Sequence, residues 1–172
     1  IFKSNLAGKA DSIHTDQATG ITQLINLKRF SGAEAFGKKK DPVLWHIDNQ
    51  MTGDTIVLVA NPNTETLDSL KVFRNAFVVS KDSIGIGFNQ IKGITLIGLF
   101  EDNALYQVDV IKNAESIYYM RNESGELIGI DVSKSGKIKM IFEKNAVEEL
   151  IKIKQIGGKS YPEEEIEERD KI

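Results

Sequence analysis

The residue types of a serine hydrolase occur together near the start of the chain. His14 lies within two residues of Ser12 and Asp16, and Asp11 precedes them. Such a triad works only when its side chains converge beside an oxyanion hole, and no nucleophile elbow is present nearby. The other histidine, His46, lies in a segment that alternates like a strand. A lone histidine there is more often a surface or hydrogen-bonded residue than a base, so we expect no enzymatic step.

Three further patterns fail as catalytic or phosphate-binding motifs. Asp109 and Glu115 could form a glycosidase pair, but sequence spacing does not fix the ~5–10 Å separation that this mechanism needs. We interpret them as outer-face carboxylates. Gly85-Ile-Gly87 lacks a third glycine and a following helix, so it predicts a flexible hairpin rather than a phosphate loop. The basic run at 38–40 could touch lipid phosphates, but a solvated turn is the favoured interpretation.

The composition excludes several classes of protein. The chain has no cysteine and two histidines among 172 residues, which excludes a disulfide scaffold, a thiol nucleophile and cysteine- or histidine-rich metal sites. We expect no cofactor. No run approaches the ~20 apolar residues that would span a bilayer. The chain begins at Ile1 without a methionine, so we expect either a removed signal peptide or a segment of a longer protein.

The charge is distributed unevenly. Residues 163–172 carry six acids against two bases, and the net charge of the chain is −3. The other 162 residues therefore have a net charge of +1. A near-neutral body is unlike a nucleic-acid-binding protein, which needs a basic stripe. We interpret the acidic tail as a solvated helix or a disordered end.

The chain alternates with a period of two residues. Ile and Val number 32 against 22 for Leu and Ala, which favours strands. The predicted strands cover 54–60, 67–73, 76–80, 93–100, 105–111, 114–120, 125–130, 137–142 and 147–153. Strands of this length, separated by short polar turns, predict an all-β fold.

These strands repeat with a period near 40 residues. The segment 99–105 recurs as 141–147 with four of seven positions identical, and a second offset of 38 aligns 75–76 with 113–114. The units are predicted to open at Gly53, Gly93 and Gly136. Such a period is typical of stacked β units. A WD-type propeller shares the period but would need its Gly-His and Trp-Asp pairs and more units to close a ring, so open stacking is the better fit.

One face of the repeated unit is apolar. Its large side chains share one parity along their strands, whereas Glu101, Lys137, Lys139 and Glu143 take the other parity. Side chains of one parity point to one face of a sheet. The pattern therefore predicts a long apolar inner wall and a mixed outer face.

Five segments in order along the chain carry a family resemblance: Asp41–Trp45, Asn49–Ile56, Asn75–Val78, Asn113–Tyr119 and Gly125–Gly129. In these segments the chain resembles the OstA-like family, the "organic solvent tolerance" family related to LptA. The resemblance covers residues 41–162, including 158–162, and is weaker over 1–40, where only 9–13 looks similar. The acidic tail and the divergent N-terminal part depart from the family pattern.

The resemblance implies an open β-jellyroll of stacked V-shaped strands, with two facing sheets around a hydrophobic groove. Family members carry lipopolysaccharide across the periplasm, hold its acyl chains between the sheets, and join head to tail through terminal strands. It therefore implies lipopolysaccharide, similar jellyroll proteins or a second copy as partners, and it supplies no catalytic residue. The groove is expected to be lined by Ile56, Leu58, Val72, Val78, Leu96, Phe100, Val110, Ile138, Met140 and Phe142.

The sequence thus predicts a single domain over 1–160, with 1–40 as a divergent or capping part and 161–172 as an acidic tail. Its expected function is non-enzymatic lipopolysaccharide binding and transport. Burying acyl chains contributes about 0.8 kcal/mol per methylene, so an apolar groove suffices. Two alternatives stay open: an ordinary closed sandwich core, and a structural or adhesive β module that binds protein or glycan partners by its edges. An open groove favours transport, and a sealed core with an exposed aromatic platform favours the β module.

Overall fold

The computed structural model describes residues 2–3, 6–27, 41–47, 49–82, 84–143 and 146–162. The basic run at 38–40 and the acidic tail after 162 lie outside the described residues. Within them the chain forms antiparallel strands and no α-helix, and no element is a helix that could span a membrane. The strands are β1 (Phe2–Lys3), β2 (Leu6–Lys9), β3 (Ser12–Asp16), β4 (Ile21–Ile25), β5 (Val43–His46), β6 (Asn49–Thr52), β7 (Thr55–Ala60), β8 (Leu67–Lys81), β9 (Phe88–Glu101), β10 (Ala104–Arg121), β11 (Leu127–Glu143) and β12 (Ala146–Tyr161).

The long strands are bent, and several predicted breaks are bends. Strand β8 contains both 67–73 and 76–80, so the predicted break at Arg74-Asn75 was wrong. These two residues have φ angles of 57° and 51° and turn the strand without ending it. Lys112 and Asn113 have φ angles of 64° and 51° in β10. Asn is among the non-glycine residues that tolerate this conformation best, and the pairing register shifts at both places.

The bends divide the sheet into two facing walls. Strands β6 and β7, separated by Gly53 and Asp54, pair with opposite halves of β8. Wall A consists of β3, β4, β7 and the strand halves 67–73, 95–101, 104–111, 137–143 and 146–153. Wall B consists of β1, β2, β5, β6 and the strand halves 76–81, 88–93, 114–121, 127–135 and 156–161. The predicted all-β open jellyroll is confirmed.

One period of the sequence repeat corresponds to two consecutive V-shaped strands that run antiparallel to each other. Segment 99–105 forms the β9–β10 turn, and 141–147 spans the end of β11 and the start of β12. Segments 75–76 and 113–114 lie at the bends of β8 and β10. The same residues recur because each second strand makes the same turn and the same bend.

The three repeated glycines lie at bends and do not open units, so that prediction was wrong. A Cβ at Gly53 would lie 2.4 Å from Cγ1 of Val72, and one at Gly93 would lie 2.5 Å from Cγ1 of Val110. Gly136 lies where β11 bends. At Gly53 and Gly93 the valine of the neighbouring strand packs directly against the glycine backbone, where a side chain would not fit. This close packing explains why glycine recurs at these two positions.

Candidate functional site

All ten predicted lining residues face the space between the walls, nine from wall A and Val78 from wall B. Eight are buried, and Val78 and Phe142 are partly buried against the same hydrophobic cluster. Ile56, Val72, Val110 and Ile138 have no exposed surface. Much of the predicted groove is therefore a packed interior.

A cavity of about 50 Å³ lies between the walls near their turn ends. We call this opening between the turn ends the mouth. The predicted residues that line the cavity are Val78, Leu96, Phe100, Met140 and Phe142. The sequence analysis missed six apolar lining residues: Met51, Leu70, Ile91, Leu105, Val108 and Val147. The offset that aligns 99–105 with 141–147 also aligns Val108 with Leu150, and this shared aliphatic position was a signal that could have placed Val108 inside.

The wall B side of the cavity is more polar than the wall A side. Asn49, Ser80, Asn89 and Tyr118 line it. Burial raises the pKa of the Tyr118 hydroxyl, and the charge of Asp82 raises it further, so the phenol stays protonated at neutral pH. Polar residues at inner positions interrupt the alternation of apolar and polar residues along a strand. The sequence pattern therefore did not predict these four residues as part of the lining.

An ion pair fixes two turns of wall B at the mouth. Arg121 donates from Nε to Oδ1 of Asp82 at 3.0 Å and from Nη1 to the carbonyl of Gly125 at 2.8 Å. Its Nη2 also contacts the Asp82 carboxylate. Hydrogen bonds from Arg121 hold the pKa of Asp82 below its usual range. Asp82 also accepts the Gly85 N–H at 3.1 Å, so the predicted flexible hairpin is tied to its neighbour.

His46 is buried at the end of β5, so it is not the surface residue that was one of the two predicted options. Only 5% of it is exposed, and its ring stands perpendicular to Phe100 with centroids 5.5 Å apart. Its Nδ1 has no hydrogen-bond partner within the described part of the chain. Burial lowers the pKa of His46. His46 shares the inner parity of Leu44, and the neutral ring therefore joins wall B to wall A.

The other candidate residues do not assemble into a site. His14 is exposed on β3. Asp109 and Glu115 lie on the outer faces of different walls, where they pair with Lys137 at 2.8 Å and Lys92 at 3.3 Å. Across the described ranges, no three or more His, Asp or Glu side chains converge to hold a metal ion.

The two-walled fold of this chain has a counterpart among solved structures. No protein-family model matches the chain, and no curated protein sequence matches it. Among solved structures, the chain is similar to LptH from Pseudomonas aeruginosa with a TM-score of 0.58. The fold is similar to that of LptH. The match covers 83% of this chain and 79% of LptH at 17% identity, so the likeness is one of fold. LptH is described as the LptA-homologous periplasmic component of a lipopolysaccharide transport device.

Proposed function

We propose that this protein is a non-enzymatic, periplasmic carrier of lipopolysaccharide that holds acyl chains between wall A and wall B. The observation that carries the proposal is the continuous apolar interior, which reaches the mouth through a cavity with an apolar wall A side. The LptH fold supports it, because LptH is described as part of a lipopolysaccharide transport device. Acyl chains in this interior would gain about 0.8 kcal/mol per methylene buried.

Acyl chains enter as the walls move apart. The cavity of about 50 Å³ is far smaller than typical ligand pockets of roughly 300–1,000 Å³. The inner faces meet through side chains, and the backbone connects the walls through the bends. The walls can therefore separate at the mouth while every β-ladder stays intact.

The ends of the stack support a head-to-tail assembly with a second copy or a similar jellyroll protein. Strand β12 runs over Ala146–Tyr161, and among the described residues it pairs only with β11, so its other edge has no partner strand there. At the opposite end of the described part of the chain, β3 is the outermost strand of wall A and β1 is the outermost strand of wall B. Unpaired N–H and C=O groups of an edge strand are a template for another strand.

Displacement of a fluorescent lipopolysaccharide probe tests the carrier function. Val78 is half-buried on the inner face of β8, and Val79 follows it on the outer face. Val78→Glu places a charge against the acyl chains and should weaken binding about tenfold or more. Val79→Glu is the matched control and should bind as the parent does. Absence of binding by the intact parent protein would overturn the proposal.

A second candidate is a structural β module that binds partners by its edges. The packed interior favours it, because several inner residues have no exposed surface. Concentration-dependent association through β12 together with no lipid binding would select this function. If the parent binds lipid and Val78→Glu weakens that binding, a purely structural β module is excluded as the whole function.

A further inference from the structure

The interior becomes more polar along the last three strands of the stack, β10 to β12. Ser116, Ser133 and Ser135 occupy inner positions of wall B and are buried. The hydroxyls of Ser116 and Ser133 lie 2.9 Å apart. Ser133 also donates to Oδ2 of Asp131 at 3.0 Å. A polar strip therefore leads from the sealed core to a carboxylate near the C-terminal edge.

Asp131 forms an ion pair with Lys152 across the interior. Nζ of Lys152 lies 2.5 Å from Oδ2 of Asp131, and the side chains are 18% and 19% exposed. Lys152 is on wall A opposite Ile138, which is buried in the core. Asp131 is on wall B opposite Tyr118, which lines the cavity. The pair therefore joins the two walls.

The Lys152–Asp131 ion pair lies at the C-terminal end of the interior. Lys152 belongs to β12, the last strand, and a solvent-open recess lined by Met120 and Leu150 lies beside the pair. When the walls separate, both charged groups can become hydrated. Opening this contact therefore avoids the penalty of a buried, unpaired charge.

We propose that the Lys152–Asp131 ion pair is a latch that holds the walls together at the C-terminal end and opens when an acyl chain enters. This role rests on the proposed lipid-carrying function. Aliphatic contacts along the rest of the interior depend little on ionic conditions, whereas a partly exposed ion pair weakens as salt screens it. The latch therefore makes the C-terminal end of the interior sensitive to salt.

Stopped-flow uptake of the fluorescent lipopolysaccharide probe tests the latch. Asp131→Asn and Lys152→Met should each speed uptake about two- to fivefold, the range that corresponds to one partly exposed ion pair. Added salt should speed uptake by the parent and leave both variants unchanged. The double exchange Asp131→Lys with Lys152→Asp should return uptake toward the parent rate.

The chain offers a matched control in Asp109 and Lys137. Their ion pair has a similar length of 2.8 Å but joins neighbouring strands on the outer face of wall A. Asp109→Asn and Lys137→Met remove a pair of the same chemistry without unlinking the walls. They should leave uptake and its salt dependence unchanged. Equal acceleration by both sets of variants would overturn the latch.

A second measurement separates the latch from the carrier function. The chain has no native cysteine, so spin labels can be placed by Glu148→Cys on wall A and Lys159→Cys on wall B, both at exposed positions. Asp131→Asn should lengthen the distance between the labels, and Asp109→Asn should not. If the distance lengthens but the protein binds no lipid, the carrier function is rejected, whereas the role of the ion pair in holding the walls together is supported. An unchanged distance would overturn the latch whether or not lipid binds.

Discussion

At the scale of single residues, His46 shows how the interior constrains ionisation. Its ring is buried between wall B and Phe100 of wall A. Burial lowers the pKa of His46 in the folded protein, because the apolar surroundings disfavour the charged ring. The contact between the walls is therefore coupled to proton binding.

The stability of the protein should depend on pH through His46. The unfolded chain binds this proton near pH 6.5, and the folded chain binds it only at lower pH. This contribution to stability is therefore fully present above about pH 7 and is lost as pH falls from about 6.5 toward the folded-state pKa. The loss amounts to about 1.4 kcal/mol per unit of pKa difference.

Urea unfolding at a series of pH values between 7 and 5 measures this effect. His46→Phe keeps an aromatic ring beside Phe100 and should flatten the pH dependence relative to the parent. His14→Gln, at an exposed position on β3, should leave it unchanged. Parallel pH curves for the parent and His46→Phe would contradict the assignment.

At this scale, parity along the strands was enough to predict an apolar inner wall, and all ten residues expected to line the groove face the interior. It did not identify His46 as an inner residue, because a single histidine carries no apolar signal. The Lys152–Asp131 contact was also unpredictable, since it joins residues 21 positions apart on opposite walls. Contacts across the V depend on the distance between the walls, which strand patterns do not specify.

At the scale of elements, the bends give a structural role to residues whose recurrence in the sequence repeat had no explanation. Strand β9 bends at Gly93, where a Cβ would lie 2.5 Å from Cγ1 of Val110. The repeat predicted recurring strands correctly, but it could not show that neighbouring segments were halves of one strand. Asn75 and Asn113 resembled turn residues because turns and bends use the same left-handed backbone conformation.

Gly93→Ala should therefore destabilise the protein by about 1–3 kcal/mol, since the added methyl overpacks the bend. Gly157→Ala is the matched control, because a Cβ there would meet nothing within 4 Å. That control should stay within about 0.5 kcal/mol of the parent. Urea unfolding gives both values, and equal effects of the two substitutions would show that the close approach to Val110 is unimportant.

The free edge of β12 should be the surface through which copies associate. Ile156 lies on this strand and is 78% exposed. A lysine on an edge strand opposes pairing with another strand, so Ile156→Lys should raise the concentration for association about tenfold or more. Sedimentation velocity over a range of concentrations measures this shift.

Ile86 provides the control for that edge. It is 89% exposed but lies in the β8–β9 turn, away from any strand edge. If association depends on β12, Ile86→Lys should associate like the parent. A parent protein that stays monomeric at high concentration would count against head-to-tail assembly.

At the scale of the whole molecule, the stack should differ in stability between its middle and its ends. The middle strands β8, β9 and β10 have hydrogen-bonded neighbours on both sides, and their inner residues Val72, Leu96 and Val110 are at most 2% exposed. Strand β12 has one neighbouring strand within the described ranges, and its residues 156–160 are exposed. In a stacked β protein, each layer is stabilised mainly by the layers that it touches.

Native-state hydrogen exchange should therefore show a gradient along the stack. Amides of β8–β10 should exchange only through global unfolding, whereas β12 amides that bond to β11 should exchange through local opening at much lower free energy. Bound lipopolysaccharide should slow exchange around the mouth, in 99–108 and 140–147, because acyl chains would fill the cavity between these segments and wall B. The Val78→Glu variant should lose this added protection and keep the gradient. Uniform protection from β2 to β12 would mean that the stack unfolds as one unit, and it would contradict the expected gradient.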